Sequence, residues 1–180
     1  MTIPTLVTAL RIVLTPFIVW QICVGNNEWA FFLLVIAGFT DMLDGLLARV
    51  LKQPSELGEK LDPIADKALL VSVYLALAVA HAIPFWIAAV VVGRDVIMAA
   101  FILYSRSRRL PVRLTPLPVG KMSTFVQILY AGAVLAILAF GGGETFSRNL
   151  LDIAVATVTL ASGFAYLLEW LKVQGARPKA

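Results

Sequence analysis

The sequence predicts an all-α integral membrane protein: a six-transmembrane-helix bundle with N- and C-termini cytoplasmic, one domain over residues 1–180. Three observations carry this. The chain is 60% hydrophobic and only 14% charged, with mean hydropathy +0.89. Soluble domains average about half apolar and about a quarter charged. Six stretches approach the roughly 20 apolar residues that a span needs. The connectors between them alternate between basic and nearly charge-free.

The spans are expected at about 6–24, 29–48, 64–81, 85–104, 124–140 and 150–171. None alternates as a membrane β-strand would, so helices are the reading. Pro16 falls inside the first span, where neighbouring helices can absorb a kink. Pro54 and Gly58 break the connector after the second. Pro84 opens the fourth in a first-turn position. Pro111, Pro116 and Pro118 keep the basic connector from continuing as helix. No internal repeat is visible.

Charge sets the orientation. One set of connectors collects Arg49, Lys52 and Lys60, then Arg106, Arg108, Arg109, Arg113 and Lys121, and the tail adds Lys172, Arg177 and Lys179. Of Lys and Arg, the opposite connectors carry only Arg148. Basic residues concentrate on the cytoplasmic side. The opening residues do not read as a cleavable signal or transit-like segment, so a bacterial inner membrane is the expectation. The single Cys23 reads as an inert packing residue, and lone His81 argues against zinc. Trp20, Trp29, Trp86 and Trp170, near span ends, read as an aromatic belt. Nothing points to nucleic acid.

Four aspartates break this pattern. Asp41 and Asp44 close the second span, and Asp62 and Asp66 precede or open the third. Intramembrane carboxylates are costly and signal function. Asp41, Asp44 and Ala48 share one helix face, as do Asp62 and Asp66. Opposed across a short connector, four carboxylates repel one another unless a cation sits between them. All-oxygen donors suit two divalent cations, Mg²⁺ or Mn²⁺, a pairing used for displacement at phosphorus. Gly45 leaves room for a bulky ligand, Ala48 is small on the same face, and Arg49 can clamp a phosphate. Gly58, in the connector, can offer backbone amides to a phosphate. The bland alternative is structural pairing of the aspartates with Arg49, Lys60 and Lys67.

The pattern Asp41-x2-Asp44-Gly45-x2-Ala48-Arg49-x8-Gly58-x3-Asp62-x3-Asp66 resembles the signature of the CDP-alcohol phosphotransferase (phosphatidyltransferase) family at all eight of its positions. That resemblance implies a homodimeric six-helix membrane enzyme with two divalent metals on Asp41, Asp44, Asp62 and Asp66. It implies Asp66 as general base, deprotonating an acceptor hydroxyl that attacks the β-phosphorus of a CDP-linked lipid and expels CMP. Gly45, Ala48, Arg49 and Gly58 would contact the CDP group, and Ser55 falls where members often place a hydroxyl. The opening residues, with Thr8 and Arg11, resemble the phosphatidylglycerophosphate and cardiolipin synthase branches, although Thr5 stands where those have asparagine. Arg11 reads equally as a substrate contact or a snorkelling interfacial arginine.

Arg94 and Asp95 lie inside the fourth span, where charge is costly. Adjacent helical residues do not face each other, so Arg94 reads as a phosphate ligand for the acceptor rather than as Asp95's partner. Lys121 is a second such ligand, or a positive-inside anchor. Arg94-Asp95-Val96 and the run from Arg113 to Lys121 and Thr124 resemble the eukaryotic-type cardiolipin synthases more than the phosphatidylglycerophosphate synthases. The branch implies CDP-diacylglycerol as donor and phosphatidylglycerol as acceptor; the alternative acceptor is glycerol 3-phosphate. A small cation or proton transporter is the remote alternative, lacking the repeats and broken helices expected of one.

Overall fold

The computed structural model describes the backbone of residues 3–51, 56–107, 118–141 and 145–175, and the side chains of 9–40, 64–105, 107, 119–141 and 148–171. Six helices occupy these residues: α1 (Ile3–Cys23), α2 (Asn27–Leu51), α3 (Glu56–Val79), α4 (Phe85–Ser107), α5 (Pro118–Phe140) and α6 (Thr145–Gly175). Among the described residues, three segments are long and apolar enough to cross a membrane: Phe85–Ser105, Val119–Phe140 and Arg148–Leu171. Ala9–Cys23 and Asn27–Thr40 are shorter apolar runs within α1 and α2.

Two boundaries differ from expectation. The second connector is shorter, because α2 continues to Leu51 and α3 begins at Glu56. Gly58 therefore lies in the first turn of α3, not in the connector. The first four N–H groups of a helix have no intrahelical partner, so the Gly58 amide keeps the availability that made it interesting. Pro118 likewise opens α5 instead of excluding helix; at a first helical position its missing N–H costs nothing.

The turns explain where helices stop. Gly25 has φ 81° after α1 and His81 has φ 54° after α3. At the end of α1, Gly25 N–H donates to Ile22 C=O at 3.1 Å and Asn26 N–H to Gln21 C=O at 2.9 Å. At the end of α3, His81 N–H donates to Ala78 C=O at 3.1 Å and Ala82 N–H to Leu77 C=O at 2.8 Å. Both are paired reverse bonds around a left-handed residue, which satisfy the last helical carbonyls. Glycine adopts that φ freely; histidine does so at some steric cost.

The chain divides into two compact units: residues 1–85 with 131–143, and residues 86–130 with 144–180. In the first, α1 packs against both α2 and α3. Its core includes Ile18, Ile22, Ala30, Ala37, Val73, Tyr74 and Leu77. The rings of Phe31 and Phe140 meet edge to face at 5.5 Å. In the second, Gln127 donates to Thr159 at 3.1 Å and the Tyr130 hydroxyl to Asp152 at 2.6 Å. Such hydrogen bonds and small residues join helices where lipid removes the hydrophobic drive to associate.

Large apolar side chains face outward in both units, among them Phe17, Phe39, Val79, Phe85, Leu103 and Phe164. In water so much exposed apolar surface would be an aggregation hazard. Against lipid it carries no penalty. Trp20, Trp29 and Trp86 are exposed, as a belt requires. Trp170 differs: it stacks on Phe101, 4.8 Å between centroids and 9° from parallel. Cys23 is also a correction, being exposed and not packed.

Candidate active site

Helix periodicity and helix bounds put Asp41 and Asp44 near the C-terminal end of α2, and Asp62 and Asp66 in the first half of α3. Thr8 lies on α1; Gly45, Ala48 and Arg49 on α2; Gly58 on α3. The side chains of Thr8, Asp41, Asp44, Ala48, Arg49 and Asp62 lie outside the described residues, as does all of Ser55. The opposed acidic faces expected of α2 and α3 therefore fall outside them too. No cluster of three potential metal-ligating acid, histidine or cysteine side chains occurs among the described residues, and three of the four aspartates are not among them.

Asp66 is described, and it has a partner that sequence reasoning missed. The Arg11 guanidinium forms an ion pair with its Oδ1. Arg11 is 1% exposed while the Asp66 side chain is 42% exposed. Arg11 thus does not snorkel; its charge is held inside the α1–α3 contact, because the carboxylate supplies the compensation a buried guanidinium requires. The open part of Asp66 remains available to a ligand. An oxygen donor that is half open, anchored on one side and on the face shared with Asp62, fits a hard divalent cation. A clue lay in the sequence: one arginine interrupts the otherwise apolar first helix, and a buried arginine needs an acid.

The second unit holds another polar centre. Arg94 and Asp95 are each 7% exposed. Contrary to the expectation from helical spacing, they do pair: Arg94 Nη1 reaches Asp95 Oδ1 at 2.6 Å. The arginine stem is long enough to fold back along its own helix, and burial removes the competing water. Arg94 Nη2 donates to Ser162 Oγ at 2.7 Å. The guanidinium lies 5.7 Å from the Tyr166 ring centroid, within cation–π range. Arg94 Nε has no partner among the described residues. Beside it is a cavity of about 500 Å³, lined mostly by apolar side chains such as Ile97, Phe101 and Leu160. Lys121 is exposed near the start of α5.

Ser162, Gly163 and Tyr166 were not singled out from sequence. The available signal was spacing: Thr159, Ser162 and Tyr166 fall at i, i+3 and i+7 on one face of an apolar helix. Tyr166 also closes over α5. A Cβ built on Gly120 would collide with the Tyr166 hydroxyl and lie 2.9 Å from its Cε2. Gly120→Ala is therefore expected to destabilise the protein by about 1–3 kcal/mol, the usual cost of overpacking. Thermal unfolding in detergent checks this. Adding Tyr166→Phe, which removes the clashing hydroxyl, should recover part of the loss.

Described residues that form only helices, three of them long and apolar, with the buried arginines Arg11 and Arg94 each paired to an acid, define a helical protein of membrane type with polar sites inside an apolar body. It belongs to the CDP-alcohol phosphatidyltransferase family, whose model matches residues 1–168. The cardiolipin synthase (CMP-forming) of Rattus norvegicus is 34% identical over 181 residues, spanning 92% of this chain and 60% of that protein. The corresponding Homo sapiens protein is 33% identical, with the same coverage. A CDP-diacylglycerol–glycerol-3-phosphate 3-phosphatidyltransferase of Oryza sativa subsp. japonica is 30% identical over 196 residues, 97% of this chain and 59% of that protein. The chain thus spans 59–60% of the length of these curated relatives.

Proposed function

We propose that this protein is a cardiolipin synthase, transferring a phosphatidyl group from CDP-diacylglycerol to a hydroxyl of phosphatidylglycerol and releasing CMP. The observation that carries the reading is the family match over residues 1–168, which contains the whole eight-residue aspartate motif. The two mammalian relatives named as CMP-forming cardiolipin synthases support the branch. The apolar cavity beside Arg94 supports an acceptor that carries acyl chains. Glycerol 3-phosphate is the second reading, favoured by the Oryza relative.

Asp41, Asp44, Asp62 and Asp66 would hold two divalent cations, Mg²⁺ or Mn²⁺. When bound, these supply charge neutralisation on the pyrophosphate and the departing CMP. Asp66 takes the proton from the acceptor hydroxyl. The freed oxygen bonds to the β-phosphorus, and the bond from that phosphorus to the CMP oxygen breaks, its electron pair leaving with CMP. Arg11 orients Asp66 through their ion pair, holding it where a base must stand. Gly45, Ala48, Arg49, Gly58, Ser55 and Thr8 contact the CDP group. Arg94 and Lys121 meet the acceptor's phosphate.

The remaining features of the proposal are a homodimer of six-span protomers, with termini and aspartates on the cytoplasmic side of a bacterial inner membrane. The basic connectors support that orientation. The test is release of CMP from CDP-diacylglycerol by purified protein with Mg²⁺ or Mn²⁺. Release should depend on phosphatidylglycerol, stop with chelator, and return when the metal is restored. Release with glycerol 3-phosphate but not phosphatidylglycerol would select the second reading. No release with either, in a folded preparation, would sink both.

A further inference from the structure

A groove of about 660 Å³ runs between α1 and α3 inside the first unit. Its walls begin at Ile12 and Ala65, the residues directly beside Arg11 and Asp66, and end at Cys23 and Val79. Cys23 lies eleven positions after Ile12 on α1, so at 1.5 Å per residue the groove is about 17 Å long. That is comparable to one leaflet of the hydrocarbon core, about 15 Å. On α3 the wall is a stripe of small residues, Ala65, Ala68, Ser72 and Ala76. Such stripes usually let two helices touch. Here α1 packs on α3, and along their open outer seam space of the size that holds a small ligand remains. The walls are nearly dry: the Thr15 hydroxyl turns back to donate to the Arg11 carbonyl at 2.8 Å.

Among the described residues of α1 and α3 that line or adjoin the groove, charge stands at the Arg11–Asp66 end. A ligand complementary to this shape has an ionic head at that end and one long apolar chain along the helices. We infer that the groove holds one acyl chain of the CDP-linked lipid donor, and so acts as a gauge of donor chain length. This rests on the proposed function, which puts the donor's pyrophosphate at Asp66. The small α3 side chains keep the channel open, and the far end is reached at Cys23, the chain's single cysteine.

Cys23 provides the test in the unaltered protein. Its reaction with a membrane-soluble maleimide is followed in detergent micelles. CDP-diacylglycerol with long chains, at ten times its Kd, should slow labelling about tenfold. CDP-dihexanoylglycerol and CMP should leave it unchanged. Equal protection by phosphatidylcholine would overturn the inference in favour of bulk lipid. Slow labelling without any lipid that quickens on dilution would overturn it in favour of a second copy of this chain. A variant then reads function. In Ala76→Phe the groove is blocked part-way, so the KM for long-chain donor should rise about tenfold, as loss of a few buried methylenes implies. The KM for the short-chain donor should stay within about twofold. Equal KM changes for both donors overturn the gauge while leaving the transfer reaction standing; absence of CMP release from wild type with any donor removes the reaction itself.

Discussion

Asp66→Asn is expected to lower CMP release by about two to four orders of magnitude, the usual contribution of a positioned base. Asparagine preserves shape and hydrogen bonding but cannot accept the proton. The same change removes the anion facing Arg11, which is 1% exposed. Breaking a fully buried pair costs about 3–5 kcal/mol; Asp66 is 42% exposed, so a smaller loss, roughly 1–3 kcal/mol, is expected. The two effects separate in a double variant. Arg11→Met with Asp66→Leu replaces both charges by apolar groups and should recover most of the stability, as for other buried pairs. It should recover no activity. Unfolding midpoints in detergent and single-turnover CMP release give both readings. Normal turnover by Asp66→Asn would end the base assignment.

Asp95→Ala carries the second large effect. Both members of the Arg94–Asp95 pair are 7% exposed, and removing the acid leaves a buried guanidinium. A loss of about 3–5 kcal/mol is expected. Arg94→Lys should cost less stability but more function. One ammonium cannot reproduce the planar fork that serves Asp95 Oδ1 at 2.6 Å and Ser162 Oγ at 2.7 Å together. The KM for phosphatidylglycerol should rise about tenfold or more, the worth of one charge-assisted hydrogen bond, while the KM for CDP-diacylglycerol changes little. If both KM values stay at wild-type levels in a folded Arg94→Lys protein, Arg94 is a structural tie and not an acceptor contact.

The sequence by itself determined the secondary structure, the family and the identity of the acidic residues. Apolar runs interrupted by Pro, Gly and charge mark helices because an unpaired backbone is intolerable in lipid. The aspartate motif is local, held within two neighbouring helices, so its spacing could be read along the chain. Helix ends were less legible. Gly58 and Pro118 look like breakers in isolation, yet both lie in first turns, where a helix tolerates them.

Only the tertiary structure decided which charges meet. Arg11 and Asp66 are 55 positions apart, Arg94 and Ser162 are 68 apart, and no periodicity links such pairs. The Arg94–Asp95 pair shows the converse: spacing argued against it, and burial enforced it, since a guanidinium without water takes the nearest acid. The α1–α3 groove and the Arg94 cavity are likewise invisible along the chain. A void is a property of how two helix faces fail to close, and alanine, serine and glycine permit either closure or space. Sequence chose which charged residues the apolar helices carry; packing chose their partners and the shape of the voids beside them.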